Sequence, residues 1–184
     1  MFIGNVENAD VLFNQARELA PQCSYVFAMS ASFELASNRV GAAIELIKQA
    51  CARASKKTGA LCYTIKARVL DAQRDKIGKV EALKKALEFD PADVILSHQY
   101  GVALSRAGFP QEAINQFTRI IDAEKTKVPL RSTLLLSLKT RIINLRRLGR
   151  LQEANQDLVF AKEVLSQNPH LQDHANDIAD LEEE

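Results

Sequence analysis

Small and apolar residues recur along the chain in one phrase. A small residue is followed four positions on by a large apolar one, and three further on by a second small one. The phrase reads Ala9, Phe13 and Ala16; Ala43, Ile47 and Ala50; Lys79, Leu83 and Ala86; Ala113, Phe117 and Ile120; Ala154, Leu158 and Ala161. Pro21 and Pro91 stand five residues beyond the first and third copies. Ala9 and Ala43 are 34 residues apart, as are Ala16 and Ala50, and Lys79 and Ala113. Ala50 and Ala86 are 36 apart, and Ala113 and Ala154 are 41 apart, a seven-residue excess over 34. Self-similarity at a fixed period of this size marks a repeat architecture.

Within the phrases the apolar residues keep helical spacing. Leu12, Phe13, Ala16 and Leu19 do so, as do Leu83, Ala86 and Leu87, and Ile114, Phe117 and Ile121. Upstream of each phrase lies a second apolar segment that ends on a residue suited to stop a helix. Gly4, Asn38, Gly108 and Gly149 each stand five residues before their phrase, and glycine and asparagine adopt the left-handed conformation of a helix C-terminus. Arg74 holds that place in the second full repeat, which predicts a looser turn there. Pro110 suits the first turn of the following helix. The pattern predicts ten helices: one near 5–20, four antiparallel pairs over 24–167, and a last one near 170–181.

This spacing resembles the tetratricopeptide repeat family, a 34-residue helix-turn-helix unit. Tyr100, Gly101, Leu104, Gly108, Ala113 and Phe117 fit the family pattern best. Tyr63, Ala67, Leu70, Ala86 and Pro91 carry it in the second full repeat; Phe27, Ala31, Ala43 and Ala50 in the first; Leu138, Leu145, Gly149, Ala154 and Ala161 in the fourth. The resemblance implies one all-α domain over 1–184, a right-handed superhelical solenoid of antiparallel helix pairs. It divides into a partial repeat 1–23, full repeats 24–59, 60–93, 94–134 and 135–168, and a capping helix 169–184. The set is divergent: Phe27, Tyr63, Ser97 and Leu138 hold the family's tryptophan place, and Lys79 and Ile120 replace small residues. Small residues let helix backbones approach, so Gly101 is expected to be a close contact between helices. The seven-residue excess after Lys127 either lengthens a loop or extends the next helix backwards, and Leu134, Leu135, Leu136 and Leu138 favour the longer helix.

The two ends differ. Gly4 stands where the turn inside a repeat belongs, so the first helix of that repeat is missing. Arrays normally end in a polar cap, which predicts that this chain is a piece of a longer protein. Its bare end, with Phe2, Ile3, Leu12 and Phe13, would offer a route to a homo-oligomer. After Asn168 and Pro169, by contrast, Leu171, Ala175, Ile178 and Leu181 form an apolar stripe among Asp173, Asp177, Asp180 and Glu182 to Glu184, as a cap requires.

Stacked helix pairs line a concave face with their first helices. The register assigns Tyr25, Ala28, Ser32 and Leu35 to that face in the first repeat, and Leu61, Thr64, Arg68 and Asp71 in the second. The third adds Ile95, His98, Val102, Ser105 and Arg106. The fourth adds Leu136, Lys139, Ile143, Arg146 and Arg147. The expected partner-binding set is Tyr25, Ser32, Leu61, Thr64, Arg68, Ile95, His98, Val102, Arg106, Lys139, Ile143 and Arg146. Some members of the family clamp a partner's C-terminal carboxylates with Lys, Asn and Arg. Here Ala28/Ser32 and Thr64/Arg68 occupy the Lys–Asn places, so heat-shock chaperone tails are not the expected ligand.

Composition narrows the function. Of 184 residues, 47% are hydrophobic and 26% charged, which is globular composition. Lys+Arg is 24 and Asp+Glu 23, a net charge of +1, too little basic bias for a whole-domain attraction to nucleic acid. Three cysteines, Cys23, Cys51 and Cys62, suggest reduced thiols in the cytoplasm rather than a disulfide framework. No apolar run is long enough to span a membrane. The seven glycines form no phosphate-cradling motif and no nucleophile elbow appears, so no catalytic residue, metal or cofactor is expected. His170 and His174 have the i, i+4 spacing of a zinc pair but lack an evident third ligand.

Charge is uneven along the chain. Residues 125–150 carry Lys125, Lys127, Arg131, Lys139, Arg141, Arg146, Arg147 and Arg150 and no acid, whereas 151–184 carry nine acids and one lysine. The simpler reading is solvated helix faces with cations placed at a helix end. The sharper one is a basic groove end that accepts an acidic peptide, shielded in cis by the acidic tail. The expected function is non-catalytic protein–protein interaction. The alternatives are a regulatory or sensor module of a larger signalling enzyme, and RNA binding through Lys139 to Arg150, against which the missing aromatic interleaving weighs.

Overall fold

The computed structural model describes residues 3–182. Phe2 lies outside them, and Ile3 and Gly4 are described in backbone only. The described residues form α1 (Ile3–Leu19), α2 (Ser24–Ala36), α3 (Val40–Ala52), α4 (Gly59–Ala72), α5 (Lys76–Phe89), α6 (Val94–Arg106), α7 (Pro110–Glu124), α8 (Ser132–Arg147) and α9 (Leu151–Gln167). A 3-10 turn (Pro169–His174), the short α10 (Ala175–Ala179) and a second 3-10 turn (Asp180–Glu182) follow. No strand occurs among the described residues. Gly4, placed by the repeat register at a turn, lies inside α1.

Contacts divide the chain into two compact units, one ending at Pro91 and one beginning at Ala92. In the first, α2 pairs with α3 and α4 with α5, α3 packs on α4, and α1 leans on α2. Phe27, Ala31, Ala43, Ile47, Ala50, Cys62, Ile65 and Val69 form its buried cluster. In the second, α6 pairs with α7 and α8 with α9, and α7 packs on α8. Its buried residues include Ala113, Phe117, Leu134, Leu138, Ile142, Leu145, Ala154 and Ala161. The alanines of the repeated phrase are where helices approach, and the large apolar residues fill the space beside them.

Four turns inside the helix pairs share one geometry. Asn38, Arg74, Gly108 and Gly149 all have positive φ, at 59°, 61°, 89° and 71°. The next residue's N–H then reaches back five positions: Arg39 to Glu34, Asp75 to Leu70, Phe109 to Leu104 and Arg150 to Leu145, at 2.8–3.0 Å. This is the Schellman ending, which satisfies carbonyls a helix otherwise leaves unpaired. The turn at Arg74 is therefore as tight as the others, against the expectation. The hydrogen bonds that close the turn hold the arginine in a conformation that costs a non-glycine residue about 1–2 kcal/mol.

Gly101 is a close contact, as expected. A Cβ there would lie 2.7 Å from Cζ of Phe117, which is fully buried. The sequence did not point to Gly59, where a Cβ would come within 2.3 Å of the Phe89 ring. Lys79 fits a small-residue place by directing its Nζ to Asp71 at 2.8 Å. The seven-residue excess both lengthens a loop, 125–131, and extends a helix, since α8 has 16 residues where α6 has 13. The terminal segment buries Leu171, Ile178 and Leu181, but it breaks into 3-10 turns around a five-residue helix.

Candidate functional site

None of the twelve expected site residues is fully buried. On α2, Tyr25 is 51% exposed, and Ser32 accepts a hydrogen bond from Arg68 Nη1 at 3.1 Å. Ala28, assigned to the same face, is completely buried and offers nothing to a partner: its helix sits too close to the next for that position to open. Leu35 and Leu61 pack against the buried cluster. Thr64 donates its hydroxyl to the carbonyl of Ala60 on its own helix, at 2.7 Å. Asp71 is engaged by Lys79 of α5. In the first unit the structure thus brings together Ser32 and Arg68, while Tyr25 stands apart.

The second unit carries a denser polar ladder. His98 Nδ1 lies 3.1 Å from Ser137 Oγ, and its ring sits 5.5 Å from that of Phe117. Burial pulls the imidazole pKa below its ordinary value. One helical stretch along, Ser105 donates to Asn144 Oδ1 at 2.9 Å and accepts from Arg147 Nη1 at 3.3 Å. These bonds hold α6 and α8 side by side. Val102, Leu136 and Ile143 are half-buried between the polar rungs, and Ile95 is 65% exposed. The register had not assigned Ser137 and Asn144 to the site. Both bonds join residues 39 apart, two short of the 41 that separates Ala113 from Ala154, whereas Ser32 and Arg68 are joined across 36, the spacing of Ala43 and Lys79.

The basic stretch is mostly neutralised locally. Lys125 pairs with Asp122 at 2.7 Å, Lys127 pairs with Glu124, and Arg131 lies 3.9 Å from Glu124. Arg141 grips Asp157 with two hydrogen bonds, at 2.7 and 2.5 Å, and Arg150 pairs with Glu153 at 2.6 Å. Lys139 pairs with Asp177 at 2.5 Å, and its ammonium holds the Asp177 carboxyl below its usual pKa. Arg146 Nη2 donates to the Leu181 carbonyl at 2.5 Å, while its Nη1 is buried without a partner among the described residues. Arg106 and Arg147 are exposed.

Other candidate chemistry is dispersed. His170 lies 3.0 Å from the Leu130 carbonyl and His174 lies 3.7 Å from Asp177. They share a 3-10 turn, where residues four apart do not stack as in an α-helix. No group of three potential metal ligands occurs among the described residues. Burial pushes the Cys51 thiol up to about 11 and raises Cys62 as well, so both stay protonated at neutral pH. Among the described residues no helix is long and apolar enough to cross a membrane. At the N-terminal end, Leu12 is exposed, whereas Phe13 packs on Phe33 with ring centroids 5.1 Å apart.

No family model and no curated protein matches the sequence. Solved structures do. MamA superposes with a TM-score of 0.74 at 15% identity, covering 89% of this chain and 91% of its own. A putative kinesin light chain of Podosopora anserina with nearly identical TPR-like repeats gives 0.72 at 19%, covering 89% of each chain. YrrB, a TPR protein with an unusual peptide-binding site, gives 0.70 at 15%, covering 95% of this chain and 85% of its own. The chain has the tetratricopeptide repeat fold. In tetratricopeptide terms α2, α4, α6 and α8 are the first helices of their hairpins and α3, α5, α7 and α9 the second. Every one of the twelve site residues lies on a first helix.

Proposed function

We propose that the chain is a non-catalytic protein-interaction scaffold that binds a peptide or a partner helix on the faces of its first helices. One observation carries this reading. In each unit the two first helices pack on each other directly, α2 on α4 and α6 on α8, and polar bonds between them hold a partly accessible strip along the join. Such a strip offers hydrogen-bond partners and exposed apolar groups, Tyr25 in one unit and Ile95 in the other, on rigid elements. YrrB has a peptide-binding site on the same fold, which supports the reading by analogy alone. Three cysteines with no disulfide among them suit a reducing compartment such as the cytoplasm.

A displayed peptide library selected against the full chain tests this. Peptides should be recovered whose binding weakens at least tenfold in a chain carrying Tyr25→Ala and Ile95→Ala together. Recovery only of peptides indifferent to both substitutions would contradict the proposal.

A further inference from the structure

We propose that the C-terminal ends of α6 and α8 form a receptor for an acidic peptide, and that the chain's own segment 175–181 occupies part of it in cis. The inference rests on the reading of the first helices as a binding face and names the partner's chemistry at one end of it. Its starting point is a contrast among the basic residues of the second unit. Lys125, Lys127, Arg141 and Arg150 each have a carboxylate partner nearby on the fold. Arg106, Arg146 and Arg147 have none among the described residues. These three sit in the last turns of α6 and α8, which the Ser105, Asn144 and Arg147 bonds hold together. The negative ends of the two helices account for cations at those turns. They do not account for a guanidinium nitrogen, Nη1 of Arg146, buried with no acceptor among the described residues.

The tail already displays the expected ligand chemistry. Asp177 supplies a carboxylate to Lys139 and Leu181 supplies a main-chain carbonyl to Arg146, both at 2.5 Å. Ile178 and Leu181 anchor that stretch, each only 2% exposed. A carboxylate followed by apolar residues one and four positions later is thus a pattern that this surface holds. The tail leaves Arg106 and Arg147 exposed, and planar guanidinium groups are well matched to carboxylates. A partner with the same pattern and further acids would engage all four cations, displacing Asp177 as it binds. Its association would be steered by charge and weakened by salt.

The test uses a labelled peptide with the chain's own sequence 173–184, titrated by fluorescence anisotropy into the intact chain. The intact chain should bind weakly. Asp177→Ala, which frees Lys139, should tighten binding about tenfold. Adding Arg106→Glu and Arg147→Glu to that variant should remove the gain. If circular dichroism shows Asp177→Ala misfolded, Asp177→Asn, which also removes the charge that Lys139 holds, replaces it and should bind severalfold tighter than the intact chain. Equal affinity for the intact and loosened chains, or binding unchanged by the two charge reversals, would overturn the proposal. Single-stranded RNA competing as well as the peptide at equal charge would overturn its assignment to acidic peptides. A library-selected peptide titrated alongside separates the two readings: its continued binding leaves the scaffold function standing while this inference fails.

Discussion

The two units solve the same packing problem with different reserves of polar chemistry. In the first, α2 and α4 are joined at one end by Ser24 with Thr58 and Cys62 and further along by Ser32 and Arg68 at their exposed edge, above a cluster built largely from alanine, cysteine and β-branched residues. In the second, α6 and α8 are joined by two buried or half-buried rungs, His98 to Ser137 and Ser105 to Asn144, and both Ser137 and Asn144 are completely inaccessible. Buried polar partners specify register, because slipping one helix would strand them without hydrogen bonds. The second unit therefore fixes the register of its first helices through side-chain pairs along their length, with its uncompensated arginines at one end. The comparison separates what a helical repeat needs in order to stack, which both units have, from what a surface needs in order to choose a partner.

The largest expected effect breaks the contact at Gly101. Gly101→Leu should destabilise by roughly 1–3 kcal/mol through overpacking against Phe117, read as a lower thermal midpoint. An unchanged midpoint would contradict the close-contact assignment. Gly59→Leu in the first unit should cost less, because Phe89 is only half-buried and can swing aside. Next comes the ion pair at Arg141. Asp157 is 7% exposed, so Asp157→Asn leaves a half-buried guanidinium with a weaker partner and should cost about 1–2 kcal/mol in denaturant unfolding. Asp10→Asn in the first unit, where the Asp10 side chain is 35% exposed in its pair with Arg39, should cost under about 1 kcal/mol. Equal losses would show that the two units do not differ in this respect.

Arg74→Gly should stabilise, by about 0.5–1 kcal/mol, because glycine relieves the left-handed strain while adding some disorder to the unfolded chain. Destabilisation would mean that the arginine side chain matters to the turn. The smallest effect is in pH. His98 is held neutral by burial, its pKa below the ordinary 6.5. Below that ordinary value the unfolded chain takes up a proton that the folded chain refuses, so stability falls as pH drops from 7 through 6.5. His98→Gln should flatten that slope in unfolding midpoints compared at pH 7.5 and 5.5. An identical slope would remove His98 as its source.

These residues also show what the sequence made legible. Gly101 lies on the family pattern and Phe117 in the repeated phrase, so a close contact at Gly101 is readable from spacing. Gly59 and Phe89 lie at helix ends, outside the phrase, and only the fold brings them together. Arg74 misled because residue type stands in for backbone angle: glycine signals positive φ, but a closed hydrogen-bonded turn imposes it on any residue. Ala28 was placed on the open face because a helical register gives direction, whereas distance to the neighbouring helix decides exposure. Ser137 and Asn144 went unassigned because buried polar partners reveal themselves only as pairs. The C-terminal segment kept its apolar stripe but not one continuous helix, since Asp and Asn compete for backbone hydrogen bonds over so short a stretch.

The central claim is that partners meet the first helices. Hydrogen exchange of the full chain, with and without a library-selected peptide, tests it most directly. The account predicts added protection in α2 and α4, or in α6 and α8, with α3, α5, α7 and α9 unchanged. Protection confined to the second helices of the hairpins would contradict it.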